Sequence, residues 1–279
     1  MLILCWSLIF LRSFSSAFLR VNVRNQGGEL IEETLSGNVT EDFTTLEFIK
    51  ADGTIITHLV DFRNEVQIFQ ALVLGEEERG QSQYQVMCFV TKVDKGDYIA
   101  SDAIAKLRQK NPHAERQAEE DLSEVGYQME VLVHLNRSAA LSPHIAQLCG
   151  EAAGATYSRH EDVRHVADRR AADLDAGSLD LLELAVSPLA PAAARCSAVS
   201  TPGEPCRCRY HVCVSWYPCS LKYCKGHEPD GQTVSYRCGI RTCRRCHVMD
   251  YRVARKQLCL WDEEPRGEVN LMGREEDDL

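Results

Sequence analysis

Several absences narrow what this chain does. After its first residues it has no apolar run near the ~18–20 residues that a membrane-spanning helix needs, so no membrane span is expected. There is no Gly-x-Ser-x-Gly, no His-Glu-x-x-His, no phosphate loop and no Gly-x-Gly-x-x-Gly. Hydrolase, metalloprotease and nucleotide-dependent chemistries therefore have no motif to rest on. The histidines are scattered, and His160-Glu161-Asp162 with His165 reads as a solvated helix face rather than a metal face. The sequence predicts a non-enzyme with no catalytic residue, no cofactor and no metal. Cysteine is scarce over residues 18–195, where only Cys88 and Cys149 occur.

What is present begins with Leu2 to Leu11, a mostly apolar stretch with no Lys or Arg ahead of it. Ser15 and Ala17 then stand at the −3 and −1 spacing of a signal-peptidase site. The run is too short to span a bilayer, so residues 1–17 read as a signal peptide and the protein as secreted and extracellular. Of 13 cysteines, Cys5 lies in that leader and 12 remain. An even number in an oxidising compartment reads as a disulfide framework. The sequons at Asn38 and Asn136 agree with that compartment.

Ten of the cysteines crowd into one short stretch: Cys196, Cys206, Cys208, Cys213, Cys219, Cys224, Cys238, Cys243, Cys246 and Cys259. A module of that size needs staples. Cys243-x-x-Cys246 with His247 is the most zinc-like piece, but two clean Cys-x-x-Cys pairs are lacking. Nor does a βαβ pattern surround it, as a thioredoxin-like redox site requires. Charge is uneven too. Residues 196–262 carry 11 Lys and Arg against 5 Asp and Glu, whereas 263–279 carry 2 against 7. Arg237, Arg241, Arg244, Arg245, Arg252, Arg255 and Lys256 form a basic set suited either to a sulfated glycan or acidic protein, or to a plain solvated face. Nucleic acid does not suit a secreted chain.

Residues 18–92 alternate as strands, with hairpin signals at Ala51-Asp52-Gly53 and at Gly75 to Gly80. Residues 101–123 predict two helices, the first capped by Ser101 and the second being the charged HAERQAEEDL. Met129 to Leu135 returns to strand, and Ser142-Pro143 opens a helix whose apolar line places Cys149 toward the core. Residues 166–195 read as a helix end and a Pro- and Ala-rich linker. In the cysteine-rich part, Tyr210 to Tyr217, Thr233 to Arg237 and His247 to Val253 read as strands, with Trp216 and Trp261 packed on disulfides.

Asp61-Phe62 at a strand end, Cys88-Phe89-Val90 in a strand and Cys149-Gly150-Glu151 on a helix together resemble the BRICHOS domain. More widely, ALVLGEEERGQSQYQVMCFVTKV (71–93), AKLRQKNPHAERQAEE (105–120), WYPCSLKYC (216–224), CGIRTC (238–243) and QLCLWDE (257–263) resemble the Out at first family. That is a secreted family with a BRICHOS-like N-terminal domain and a cysteine-rich C-terminal domain. The resemblance implies an α+β fold: a BRICHOS-like antiparallel sheet with flanking helices over 18–165, then a small disulfide-rich β module over 196–262 and an acidic tail over 263–279. It pairs Cys88 with Cys149, which are also the only two cysteines of their region. It gives Asp61 the family's acidic position, where the alternative is a carboxylate capping a turn. Cys213 and Cys246 depart from the family pattern. An even count and their alternating strand segments predict a mutual bridge. The function implied is protein binding by a secreted glycoprotein, chaperone-like toward β-prone segments. The alternative is an extracellular signalling or matrix ligand that binds a receptor or sulfated glycan through the basic module. The partner is an extracellular or secretory-pathway protein.

Overall fold

The computed structural model describes residues 17–79, 83–107, 111, 113–173, 184–189, 194–227 and 232–260. The expected signal peptide up to residue 16, Trp261 and the acidic tail lie outside the described residues.

Six consecutive strands follow the alternation of the first region. They are β1 (Ala17–Arg24), β2 (Leu30–Asn38), β3 (Phe43–Ile49), β4 (Ile55–Asp61), β5 (Val66–Leu74) and β6 (Tyr84–Lys92). Each pairs antiparallel with the next. The turn between β3 and β4 closes on Gly53, whose φ of 83° suits glycine. The short strands β7 (Glu115–Arg116), β9 (Val131–Val133), β10 (Thr156–Ser158) and β11 (Val186–Pro188) extend this sheet to ten strands. Its order is β11-β9-β10-β6-β5-β4-β3-β2-β1-β7. A second sheet of three strands holds β12 (Cys206–His227), β13 (Thr233–Val253) and β8 (Glu120–Gln128). There β12 and β13 form one long antiparallel hairpin, and β8 lies parallel to β13.

The α+β architecture with flanking helices is not what forms. Among the described residues, helix is limited to α1 (Ser101–Lys106), α2 (Pro143–Leu148), α3 (His160–Asp173) and short 3-10 turns, against thirteen strands. The charged segment expected to be a second helix is instead β7 and β8. Its Glu, Ala, Arg and Gln residues favour helix locally, but its carboxylates meet the cations of β13, and that pairing overrides propensity. Ser101 does not cap α1 either. It is the first helical residue, and its hydroxyl donates to Asp42 at 2.7 Å. At α2 the expectation and the structure agree: Ser142 is the N-cap, accepting from the His144 amide, and Pro143 is at N1. The segment read as a linker also contributes β11, paired with β9.

The ten-stranded sheet packs a core against each face. Val66, Ile68, Val86, Cys88 and Val90 face one way and pack on Leu141, Ile145 and Cys149 around α2 and on Val163 and Val166 of α3. Leu46, Phe48, Ile56, Phe69, Met87 and Phe89 face the other way. They pack on Tyr210, Val212, Val214, Trp216, Met249 and Tyr251 of the long hairpin. Period-two alternation along each strand creates both cores at once.

Candidate functional site

The hairpin is a ladder of bridges. Cys213–Cys246, Cys219–Cys243 and Cys224–Cys238 cross it rung by rung, while Cys196–Cys206 and Cys208–Cys259 tie its base to the preceding and following chain. Cys213 and Cys246 are direct cross-strand partners. In the large sheet Cys88 on β6 joins Cys149 at the end of α2, with both residues fully buried. Trp216 is buried in the hairpin core.

The basic set does not make one open cationic face. Arg241 pairs with Glu120 at 3.4 Å, Arg244 with Asp121 at 2.8 Å, and Arg245 with Asp97. Lys256 donates to the Val199 carbonyl, and the positive field of Arg237 acts on Asp102 of α1. Arg252 lines a cleft at the hairpin base, and Arg255 is exposed. Lys222, outside the predicted set, pairs with Glu119. The acidic strand β8 is thus an internal counter-charge to Arg241 and Arg244 of the hairpin. The exposed side chains at the hairpin's far end include Tyr223, Lys225, Tyr236 and Arg237.

Two groups of metal-type donors converge within 4.8 Å: Cys196, Cys208 and Cys259, and His211, Cys213 and Cys246. Every cysteine in both is in a disulfide. Cys243 and Cys246 of the zinc-like triplet bond to Cys219 and Cys213, and His247 lies buried with Nδ1 3.2 Å from the Tyr127 hydroxyl. His165 meets Glu65 at 3.1 Å and Asp162 meets Arg159 at 2.6 Å, so that helix face is a set of ion pairs.

Asp61 is fully buried at the end of β4. It accepts from the Asn64 amide at 3.0 Å, the Asn64 side chain at 2.7 Å and the Ser142 hydroxyl at 2.6 Å. It therefore caps the β4–β5 turn and ties the N-terminus of α2 to the sheet. Asn38 is half-buried and holds the Thr40 and Glu41 amides, while Asn136 is exposed.

Sequence reasoning missed the buried titratable groups between the sheets. Burial pushes Glu33 up to about 8; the Ser215 and Trp216 backbone groups favour its charge, but neither closes a hydrogen bond to its oxygens. His58 stacks on Phe69 with centroids 4.0 Å apart, bonds Gln67 at 3.0 Å and is pushed down to about 4 by burial. Burial also lowers His247, whose ring lies 6.2 Å from that of His58. Glu33 could have been found from parity alone, since it shares the inward face of β2 with Leu35.

One part of the large sheet is uncovered. The layer of α2 reaches Gln70, whose amide donates to the Leu148 carbonyl at 2.6 Å. Beyond it, on the same face, Ile49 pairs with Ile55, Ile55 with Leu72, and Leu74 with Tyr84. Ile49, Ile55, Leu74 and Tyr84 are 59%, 42%, 45% and 54% exposed. This apolar stripe runs into an open cleft of about 1040 Å³ lined by Tyr84, Gln85, Leu132, Tyr157, Leu189 and Leu258. The side-chain oxygen of Gln85 is buried there with no hydrogen-bond donor.

Two family models match the chain, Out at first over residues 17–166 and Out at first, C-terminal over residues 195–263. The chain belongs to the Out at first family. It is 52% identical to the Out at first protein of Drosophila virilis over 271 residues, covering 94% of this chain and 87% of the relative. It is 49% identical to the Out at first protein of Drosophila melanogaster over 281 residues, covering 97% of this chain but 57% of that relative. No solved structure matches. The six bridges and both sheets fall within the two matched regions, except that β11 lies between them. Among the described residues no helix is long and apolar enough to cross a membrane.

Proposed function

We propose that this Out at first family member is a secreted, non-enzymatic glycoprotein that binds an extended, β-prone polypeptide segment in the manner of a chaperone. The observation that carries the reading is the apolar stripe of Ile49, Ile55, Leu74 and Tyr84, which no helix covers among the described residues and which continues into the cleft. A strand laid there buries apolar side chains on the stripe. The six disulfides suit maturation in an oxidising compartment, with the leader removed near Ala17 and glycans on Asn38 and Asn136. The test is fibril growth of a β-prone test peptide in the presence of the full oxidised chain. The wild type lengthens the lag phase, and Leu74→Glu with Tyr84→Glu abolishes the effect without changing the melting temperature. Equal inhibition by variant and wild type, or none by either, ends this reading.

A second reading is an extracellular ligand that docks through the far end of the hairpin. The exposure of Tyr223 and Tyr236 beside a disulfide rung favours it. Cell binding lost in Tyr223→Ala with Tyr236→Ala, and kept in the stripe variant, selects it over the chaperone reading.

A further inference from the structure

The Cys213–Cys246 bridge differs chemically from the other five. Cys246 is 4% exposed, whereas Cys213 is half-buried. The Arg244 guanidinium lies over both sulfurs, with Nη2 2.9 Å from Cys246 Sγ and 3.6 Å from Cys213 Sγ. Asp121 of β8 holds it there through Nη1 at 2.8 Å. His211 places Nε2 3.4 Å from Cys213 Sγ, and Glu124 lies 3.5 Å from that same nitrogen. Among the described residues no other bridge has a cationic side chain on its sulfurs. Cys88–Cys149 is sealed in the core, and Cys196–Cys206 and Cys208–Cys259 are buried at the hairpin base. In Cys219–Cys243 the sulfur of Cys219 meets the Arg241 carbonyl. Cys224–Cys238 is the most exposed of the six, yet the partner of Cys238 Sγ is the Lys222 carbonyl.

We propose that Cys213–Cys246 is a thiol-exchangeable redox site, opened by an external thiol or dithiol reductant. The reductant's thiolate attacks Sγ of Cys213, the less buried residue of the pair. A new S–S bond forms between the reductant and Cys213, the Cys213–Cys246 bond breaks, and Cys246 leaves with the electron pair as a thiolate. Arg244 receives that charge at hydrogen-bond distance, which makes Cys246 the better leaving group. A second thiolate, from the same dithiol or another molecule, attacks the reductant's sulfur of the mixed disulfide and frees Cys213 as a thiolate that can take a proton from His211 or water. Two electrons have then passed to the bridge, and the reductant has become a disulfide. The change stays local, because Cys219–Cys243 and Cys224–Cys238 still hold the hairpin in register. What changes is the point where β13 meets β8, for Cys246 is the partner of Glu124 beside an irregularity in that pairing.

Accessibility and electrostatics make opposite predictions, so the test is clean. The full oxidised chain is exposed to graded reduced glutathione, quenched with an alkylating reagent and mapped by mass spectrometry. Cys213 and Cys246 should be alkylated first, about tenfold faster than Cys224 and Cys238, because the departing Cys246 thiolate is stabilised by Arg244. Arg244→Gln should erase most of that advantage and leave the Cys224–Cys238 rate unchanged, while Arg244→Lys should keep much of it. If Cys224–Cys238 opens first in the wild-type protein, or all rungs open together, the proposal fails whatever the variants do. If Arg244→Gln folds and opens Cys213–Cys246 at the wild-type rate, it fails as well.

Discussion

Glu33 shows how one side chain sets a pH response for the whole fold. It points inward from β2 among Leu35, Leu46 and Phe48, with both oxygens lacking hydrogen bonds. Its folded value of about 8 lies above the ordinary 4.5. Its contribution is therefore fully present below about pH 4.5 and is lost as pH rises toward 8, because the unfolded chain releases the proton first. His58 and His247 act in the opposite direction. Both are buried neutral, so stability falls as pH drops from 6.5 toward the value of about 4 at His58. Stability should peak between these limbs. Glu33→Gln keeps the shape and removes the proton. It should abolish the alkaline limb and stabilise the fold at pH 8 by up to roughly 4 kcal/mol, the linkage value of such a shift. Urea denaturation at pH 5, 6.5 and 8 measures this. A variant that still loses stability between pH 6.5 and 8 as the wild type does would show that Glu33 is ionised in the native state. Parity along β2 made the inward position of Glu33 legible, but nothing local marked what covers it, since Ser215 and Trp216 come from 180 residues further along.

At the scale of elements, the strands of the first region were legible because alternation and turn residues are local signals. Six strands fill the stretch over 18–92 that the alternation marked out. The pairing of Cys213 with Cys246 was legible for the same reason, since both belong to alternating strands. Cys88–Cys149 was legible too, as the pair the resemblance implies, but the other connectivity of the cysteine-rich region was not, because strand alternation does not fix which rung a cysteine joins. Strand β8 was misread for a physical reason. Glu119, Glu120 and Asp121 look like a solvated helix face until Lys222, Arg241 and Arg244 are set opposite them. Those cations read as a glycan-binding patch until their partners are known. Reversing charge in Glu120→Lys with Asp121→Lys sets like charges against Arg241 and Arg244. It should cost about 1–2 kcal/mol, since partly exposed pairs contribute little each. Hydrogen exchange should quicken over β8 and residues 243–250 of β13 while β4 and β5 stay protected. The same double variant should gain heparin affinity by uncovering the arginines. Unchanged exchange in β8 would mean that main-chain pairing alone holds it.

For the molecule as a whole, the two matched family regions are adjacent in sequence but share one core. Leu46, Phe48, Ile56, Phe69, Met87 and Phe89 of the large sheet are buried by the hairpin, and β8 crosses over to pair with β13. Burying a large apolar side chain is worth about 1.5–3 kcal/mol. Six of them amount to something near the whole net stability of a typical domain, about 5–15 kcal/mol. The N-terminal part is therefore not expected to stand alone, although its own disulfide closes a 61-residue separation and by itself stabilises by roughly 4 kcal/mol. Residues 17–173 expressed without the hairpin, but with Cys88–Cys149 formed, should bind a hydrophobic dye strongly and self-associate. They should also unfold without a sharp transition. The full chain should show none of this, because its remaining exposed apolar stripe is confined to the far side of the sheet. A monomeric, cooperatively folding fragment with little dye binding would mean that the hairpin rests on a sheet already stable without it. The stripe would then have to be weighed against that second face as the place where a client strand binds.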